Sequence, residues 1–560
     1  MSEAAKNFAK LSPEEKRALL ARLLREKAKD WSPLSHGQRA LWFLYQLAPE
    51  STAYNLLYTA HIRSALDIST LQHALQTLTR RYPILTALYT MQNGEPVQRF
   101  QHDMQVQAEV IAATSWSVEE LQQRLHQEGN RPFDLEQGPI LRIQIFQRSA
   151  REYILALIVH HIALDFWSLD MLIDELCKLY ASAQTQLQPA GAPFSAYVRW
   201  QSEMLAGPEG ERLWNYWRAQ LAGELPMLSL PSDRARPPVQ SYGGAAYRFS
   251  LSDRLSHRLR ELAQVEQVTL YMIVLAAFKT LLYRYTRQDD ILVGTPMLGR
   301  SRADLERIVG YLVNPVVLRT NLSGNPTFKE LLKRVCQTVM GALEHQDFPF
   351  PLLVERLQPK RDPSYSPLFQ ALFIWDRPRS QPVRSSQELK LEPYIIGQQG
   401  AHQDLTLTIF EIDGSLSAEF RYNVALFDPS TIARMQQHFV TLLESAVKHQ
   451  DQHIQNLPLL TAKERQQLII AWNDTRAYYP EQSCLHQLIE EQVERTPDEE
   501  ALVFEGIALS YRELNRRANL LADALQAYSI GPDDMVGVCM ERSLEMVVAL
   551  LGILKAGGAY

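Results

Sequence analysis

The sequence predicts an α/β fold of the mixed, α+β kind, divided into several compact units. Three observations carry this. Ile154-Leu155-Ala156-Leu157-Ile158-Val159 is an apolar, β-branched run with the length of a buried strand. Leu169, Leu172, Ile173, Leu176 and Leu179 follow at helical spacing, so a strand feeds a helix through a short loop. The same mixture returns later, with helices expected over Leu255–Ala263 and Tyr271–Tyr285 and a strand over Ile291–Gly294.

Composition bounds the rest. At 560 residues, about three to four units are expected from the loose rule of ~150 residues per domain. Apolar residues make up 46%, enough for substantial cores. A formal net charge of −6 gives no reason to expect nucleic acid as a partner. Cys177, Cys336, Cys484 and Cys539 lie far apart without CxxC spacing, which favours reduced thiols over a disulfide frame or a metal knot. No apolar stretch approaches the ~18 residues of a membrane span, and no secretory apolar segment opens the chain. A cytoplasmic protein without a membrane partner is expected.

Along the chain, Ser12-Pro13-Glu14-Glu15 has the form of a capping box. Leu19, Leu20, Leu23 and Leu24 then stripe a charged helix ending near Lys29, so residues 1–30 form an N-terminal helical segment. It packs on the next domain as a lid or docks an upstream protein; simple packing is favoured. Residues 31–205 make a first lobe, and Ala206-Gly207-Pro208-Glu209-Gly210 reads as a hinge. Residues 206–455 make a second lobe, 456–480 a linker and 481–560 a separate piece.

His160-His161-Ile162-Ala163-Leu164-Asp165-Phe166-Trp167-Ser168 is the most informative stretch. It holds two histidines and an aspartate on the strand-to-helix loop, where the backbone can aim side chains into a cavity. Histidine titrates near neutrality and can take a proton from an attacking amine or hydroxyl. A metal site is disfavoured, because adjacent histidines on a strand point to opposite faces and no Cys or His cluster completes a tetrahedron. Ser168 is placed to cap the helix, and no separate base is assigned to make it a nucleophile.

This loop resembles the HHxxxDG signature of condensation domains from nonribosomal peptide synthetases, relatives of chloramphenicol acetyltransferase. Other blocks follow the family's order. Ser35-His36-Gly37-Gln38-Arg39-Ala40-Leu41-Trp42-Phe43-Leu44 looks like SxAQxRLWxL, and Arg81-Tyr82-Pro83-Ile84-Leu85-Thr86-Ala87-Leu88-Tyr89 sits where the family has RHxxLRTxF. Phe194-Ser195-Ala196-Tyr197-Val198-Arg199-Trp200 is similar to YxDFAxW, and Val309-Gly310-Tyr311-Leu312-Val313-Asn314 to VGxFVN. His345-Gln346-Asp347-Phe348-Pro349-Phe350 resembles HQDxPFE, and Arg361-Asp362-Pro363-Ser364-Tyr365-Ser366-Pro367-Leu368 resembles RDxSRxPL. Two departures stand out: Phe166 replaces the usual glycine, which narrows the space beside the histidine, and Thr86 replaces an arginine.

The resemblance implies two chloramphenicol acetyltransferase-like lobes set in a V around a central tunnel. Phosphopantetheine arms of two partner carriers enter it, an upstream donor acyl or peptidyl carrier and a downstream acceptor peptidyl carrier. The acceptor amine attacks the donor thioester, and an amide forms. His161, His160 and Asp165 are the catalytic candidates. His161 touches the amine as base or positioner, His160 points into the core, and Asp165 pairs with Arg300 of the second lobe. Asn314 is expected on the bridge between lobes in a supporting role, and Phe166 and Trp167 are channel-lining candidates.

Leu509-Ser510-Tyr511-Arg512-Glu513-Leu514 and Leu554-Lys555-Ala556-Gly557-Gly558-Ala559-Tyr560 resemble the LSYxEL and LKAGxAYVP motifs of adenylation domains. Residues 481–560 are therefore expected to be a truncated start of such a domain, with the remainder of the synthetase as partner. No carrier-type GGxS segment is present, so no covalently held cofactor is expected. If Met1 is the native start, another protein delivers the donor, which favours a polyketide or fatty-acyl donor over a peptidyl one. Cyclising members carry DxxxxD instead of the histidines, and epimerising members follow a carrier, so both are disfavoured. A noncatalytic module that recruits carriers or tailoring enzymes is the alternative; retention of His161 argues against it, whereas Phe166 could block the channel.

Overall fold

The computed structural model describes residues 31–101, 104–182, 185–360, 362–376, 384–385, 389–394, 400–412 and 414–560. The helical segment expected over residues 1–30, and Arg361, lie outside them. Contacts divide the chain into one unit ending at Glu464 and another spanning Arg465–Tyr560.

The first lobe runs β1 (Trp31–Pro33), α1 (His36–Leu47), β2 (Asn55–Ile62), α2 (Ile68–Arg81), β3 (Ala87–Gln92), β4 (Glu95–Phe100), β5 (Ala108–Ala112), α3 (Val118–Gly129), β6 (Leu141–Ser149), β7 (Glu152–His160), α4 (Phe166–Ala181) and α5 (Phe194–Ala206). Strand β7 is the expected apolar run. It is buried from Tyr153 to His160 because β2 and β6 pair with its two edges. Helix α4 buries Leu169, Leu172, Ile173, Leu176 and Leu179, the predicted stripe.

The second lobe runs α6 (Pro208–Gln220), β8 (Gly244–Ser250), α7 (Asp253–Val265), α8 (Leu270–Thr286), β9 (Asp290–Met297), β10 (Asn314–Asn321), α9 (Phe328–Glu344), α10 (Phe350–Leu357), β11 (Ala371–Asp376), β12 (Arg384–Ser385), β13 (Lys390–Pro393), β14 (Leu405–Ile412), β15 (Ser415–Asn423) and α11 (Pro429–Lys448). Its sheet has the order β10-β9-β11-β14-β15-β8. Helix α8 is buried on every side from Met272 to Tyr283, Lys279 included. The Lys279 Nζ donates to the carbonyls of Ile291 and Leu318, while burial lowers its pKa to about 7. The predicted hinge at 206–210 is a junction between helices, with Gly207 ending α5 and preceding Pro208 of α6.

Two segments of the second lobe cross into the first. Strands β12 and β13 extend the first lobe's sheet, giving the order β12-β13-β2-β7-β6-β5. Leu389 and Leu391 enter that lobe's core, as do Leu305, Ile308, Val309 and Leu312 from the stretch between β9 and β10. The lobes therefore share structure. The sequence predicts the second lobe to end near Gln455, but Ile454 and Leu457 are buried in its core and the unit continues to Glu464.

The second unit carries a hairpin, Glu500–Phe504 with Ile507–Ser510, and helices α12 (Leu485–Arg495), α13 (Tyr511–Ala527) and α14 (Leu544–Ala556). Its core is small, built around Leu509, Leu514, Ala518, Leu544, Val548 and Leu551.

Candidate functional site

Where β7 ends, the two histidines part. His160 stays inside, its Nδ1 accepting the Ile162 N–H at 3.2 Å and its ring edge-on to Phe133. Burial, with the neighbouring His161, pushes its pKa down to about 3, so it is neutral at physiological pH. His161 lines the cavity between the lobes. Its backbone N–H donates to the Tyr54 carbonyl at 2.8 Å, and its Nδ1 lies 2.6 Å from the Leu164 carbonyl.

A carbonyl only accepts, so Nδ1 carries the proton and Nε2 keeps its lone pair. Burial lowers the His161 pKa, against smaller opposing effects of the Leu164 carbonyl and the Asp165 charge. The rings of Tyr311 and Phe166 stand edge-on to it, at 4.9 and 5.9 Å between centroids. The result is a neutral imidazole of fixed tautomer.

Asp165 borders the cavity, but its carboxylate is engaged within the protein. Its carboxylate takes a two-pronged bond from Arg300, at 2.7 and 3.1 Å, and accepts the Ser168 and Leu312 N–H groups. The pair is nearly closed to solvent, with side-chain exposures of 2% for Arg300 and 4% for Asp165. Arg300 also donates to the Ser168 hydroxyl and to the carbonyls of Leu298 and Ile308. Gly299 makes this geometry possible. It holds a φ of +66°, and a Cβ there would lie 1.8 Å from the Leu312 carbonyl oxygen.

Two assignments need correction. Asp165, not Ser168, caps α4: its side chain accepts from the Ser168 N–H. Ser168 sits inside the first turn, and its hydroxyl donates to the Gly310 carbonyl and accepts the Gly310 N–H and an Arg300 N–H. It is a strut between lobes. Asn314 does not bridge the lobes through its side chain. Its amide donates to the carbonyls of Gln346 and Phe348 and accepts the Phe350 N–H, all within the second lobe. Asn314 thereby pins the HQDFPF stretch.

The cavity has a volume of about 2860 Å³ and takes walls from both lobes, including His161, Phe166, Trp167, Tyr54, Tyr311 and His402. Phe166 is 56% exposed and lines the cavity beside His161. Trp167 donates from its indole to the Glu306 carbonyl and lies under Arg300. Sequence reasoning missed four contributors. Tyr54 pins the His161 backbone, Tyr311 braces its ring, and buried Gln38 donates to the Ile162 carbonyl. His402 comes from the opposite lobe. Gln38 and Tyr311 lie inside recognisable blocks and could have been found there; Tyr54 and His402 carry no local signal.

A family model described as Condensation domain matches residues 28–469. The chain belongs to the condensation-domain family. A second model, AMP-binding enzyme, matches residues 489–560, so a partial AMP-binding segment follows the condensation domain. A linear gramicidin synthase of Brevibacillus parabrevis is 41% identical over 546 residues, covering 94% of this chain and 11% of the relative. Surfactin synthase subunit 1 of Bacillus subtilis (strain 168) is 35% identical, covering 100% of this chain and 15% of the relative. The condensation-domain chain thus spans about a tenth to a seventh of these relatives' length. Among solved structures, a four-domain nonribosomal peptide synthetase bound to AMP and glycine superposes with a TM-score of 0.83 at 25% identity, over 95% of this chain and 41% of that one. The X-domain from teicoplanin biosynthesis does so with a TM-score of 0.70 at 27% identity, over 76% and 97%.

Proposed function

We propose that the condensation domain joins a carrier-bound acyl thioester to a carrier-bound aminoacyl thioester, making an amide. The observation that carries this is His161: a neutral ring with its Nδ1 proton given to Leu164, and with no hydrogen bond to Nε2 among the described residues, on the wall of a cavity shared by both lobes. The acceptor nitrogen attacks the donor carbonyl carbon. Its proton is held or taken by Nε2, the C–S bond breaks, and the proton passes to the departing thiolate of the donor arm. An amine attacking a thioester needs little help from a base, so orientation of the amine by Nε2 is a large part of the effect.

A cavity of about 2860 Å³ exceeds the ~300–1,000 Å³ of ordinary ligand pockets, which suits two phosphopantetheine arms meeting end to end. The arms belong to the substrates, delivered by an upstream donor carrier and a downstream acceptor carrier. Asp165, Arg300 and Ser168 hold the loop and the lobes in register, and His160 supports it from the core. For the donor, a polyketide or fatty-acyl group is the reading from sequence. A peptidyl group is the competing donor on the same reading.

A second reading has its own support: a related X-domain forms a complex with OxyB, so a module of this fold can recruit a protein. Intact-mass analysis separates the two. This chain is mixed with an aminoacyl-loaded acceptor carrier and with donor carriers bearing polyketide-like, fatty-acyl or peptidyl groups. Mass gained on the acceptor supports condensation and identifies the donor class. Carrier binding without transfer from any donor overturns it in favour of recruitment.

A further inference from the structure

Of the histidines lining the cavity, the proposed reaction uses His161 alone. Another, His402, stands on the second lobe just before β14. Its backbone is held firmly. Its carbonyl accepts from the Gln240 amide at 2.9 Å and from the Ser366 hydroxyl at 3.3 Å. The preceding Ala401 N–H donates to the Tyr242 carbonyl at 2.9 Å, and nearby Asp404 is paired with Arg236. The ring lies 5.0 Å from that of Tyr54, whose carbonyl fixes the His161 backbone. Tyr242 stands on another side at 6.4 Å.

All this scaffolding grips the main chain and none of it satisfies the imidazole. Nδ1 is buried without a hydrogen-bond partner among the described residues. Buried polar groups in folded proteins are usually paired, and the partly exposed ring that carries this unpaired nitrogen belongs to the wall of the substrate cavity. Burial, with the neighbouring His161 ring and the Arg421 charge, pushes the pKa of His402 down to about 4. The ring is therefore a neutral donor-acceptor and not a charge, and it cannot act as an anion site. A packing role alone would be served as well by Phe, without the cost of burying a polar ring.

We propose that His402 is a positioning and selectivity residue that hydrogen-bonds a polar substituent on the first few carbons of the donor acyl group. This rests on the condensation reading. A β-oxygenated polyketide chain or a peptidyl group carries such a substituent, and a saturated fatty-acyl chain does not. His402 thus favours the first two over the third.

The test is single-turnover transfer by the full chain to one aminoacyl-loaded carrier. Three donor carriers of equal chain length bear a 3-hydroxyacyl, an N-acylaminoacyl or a saturated acyl group. His402→Phe keeps a ring against Tyr54 and removes both nitrogens; His402→Gln restores a donor and an acceptor. The expected result is a loss of about tenfold in transfer of at least one polar donor with His402→Phe, the scale of one ordinary hydrogen bond. Partial recovery with His402→Gln and a change under twofold for the saturated donor are expected beside it. Equal losses for all three donors, or no loss for any, overturn the proposal.

Affinities of unreactive donor carriers, with an amide in place of the thioester, keep the two claims apart. If the wild type transfers nothing, condensation falls. His402 is then decided by whether His402→Phe weakens the polar analogues about tenfold and spares the saturated one.

Discussion

At the scale of single residues, the proposed reaction separates the group that would touch substrate from the groups that hold it. Asp165 and Arg300 form a closed pair, and removing one partner strands the other's charge. Asp165→Ala is expected to destabilise the first unit by about 3–5 kcal/mol, read from urea unfolding, where a surface pair would cost about 1 kcal/mol or less. Ser168→Ala should also lower stability, by about 1–3 kcal/mol, through the polar groups it leaves unpaired around Gly310 and Arg300. Titration gives a further check. Folded His160 and His402 resist protonation until about pH 3 and about pH 4, whereas the unfolded chain protonates them near 6.5. The unfolded state binds more protons in that window, so stability rises with pH across it and is flat above it. Each histidine contributes a slope of up to about 1.4 kcal/mol per pH unit. Urea midpoints measured from pH 5 to 7 should vary less steeply in His160→Asn than in the wild type.

At the scale of elements, the strand–loop–helix unit of β7 and α4 was legible because burial dictates its pattern. A central strand must be apolar throughout, and a helix packed on one face must repeat every three or four residues. The cap was not legible at the right residue, since Asp165 and Ser168 both suit an N-terminus and only the backbone decides between them. Nor was His402, which reaches the site through a sheet crossover and carries no spacing relation to His161. The crossing segments are the elements most exposed to test. Leu391 of β13 is buried in the first lobe's core, so Leu391→Ala should cost about 2–5 kcal/mol and raise hydrogen exchange along β2. Gly299→Ala combines a strained φ with a clash against the Leu312 carbonyl. It should lose more than about 1 kcal/mol and displace Arg300.

At the scale of the whole molecule, the two units answer to different chemistry. The first has large cores, shared segments and the cavity; the second has a small core of its own. Residues from Gln467 to Gln482 are exposed, so limited proteolysis should cut within that stretch and release a first unit that keeps the transfer activity. The division into lobes and the order of the motif blocks were readable from sequence. The exchange of segments between lobes was not, because it depends on strand pairings far apart in the chain. The central claim is that His161, neutral and held by Leu164, handles the acceptor amine. The most direct measurement is the single-turnover rate of acyl transfer to the acceptor carrier, followed by intact mass from pH 5 to 8 in wild type and His161→Ala. The predicted result is a wild-type rate that falls on the acid side with a midpoint below 6.5, and a variant slower by at least about 100-fold with that inflection gone. Transfer by the variant at the wild-type rate, with the same pH profile, would contradict the account.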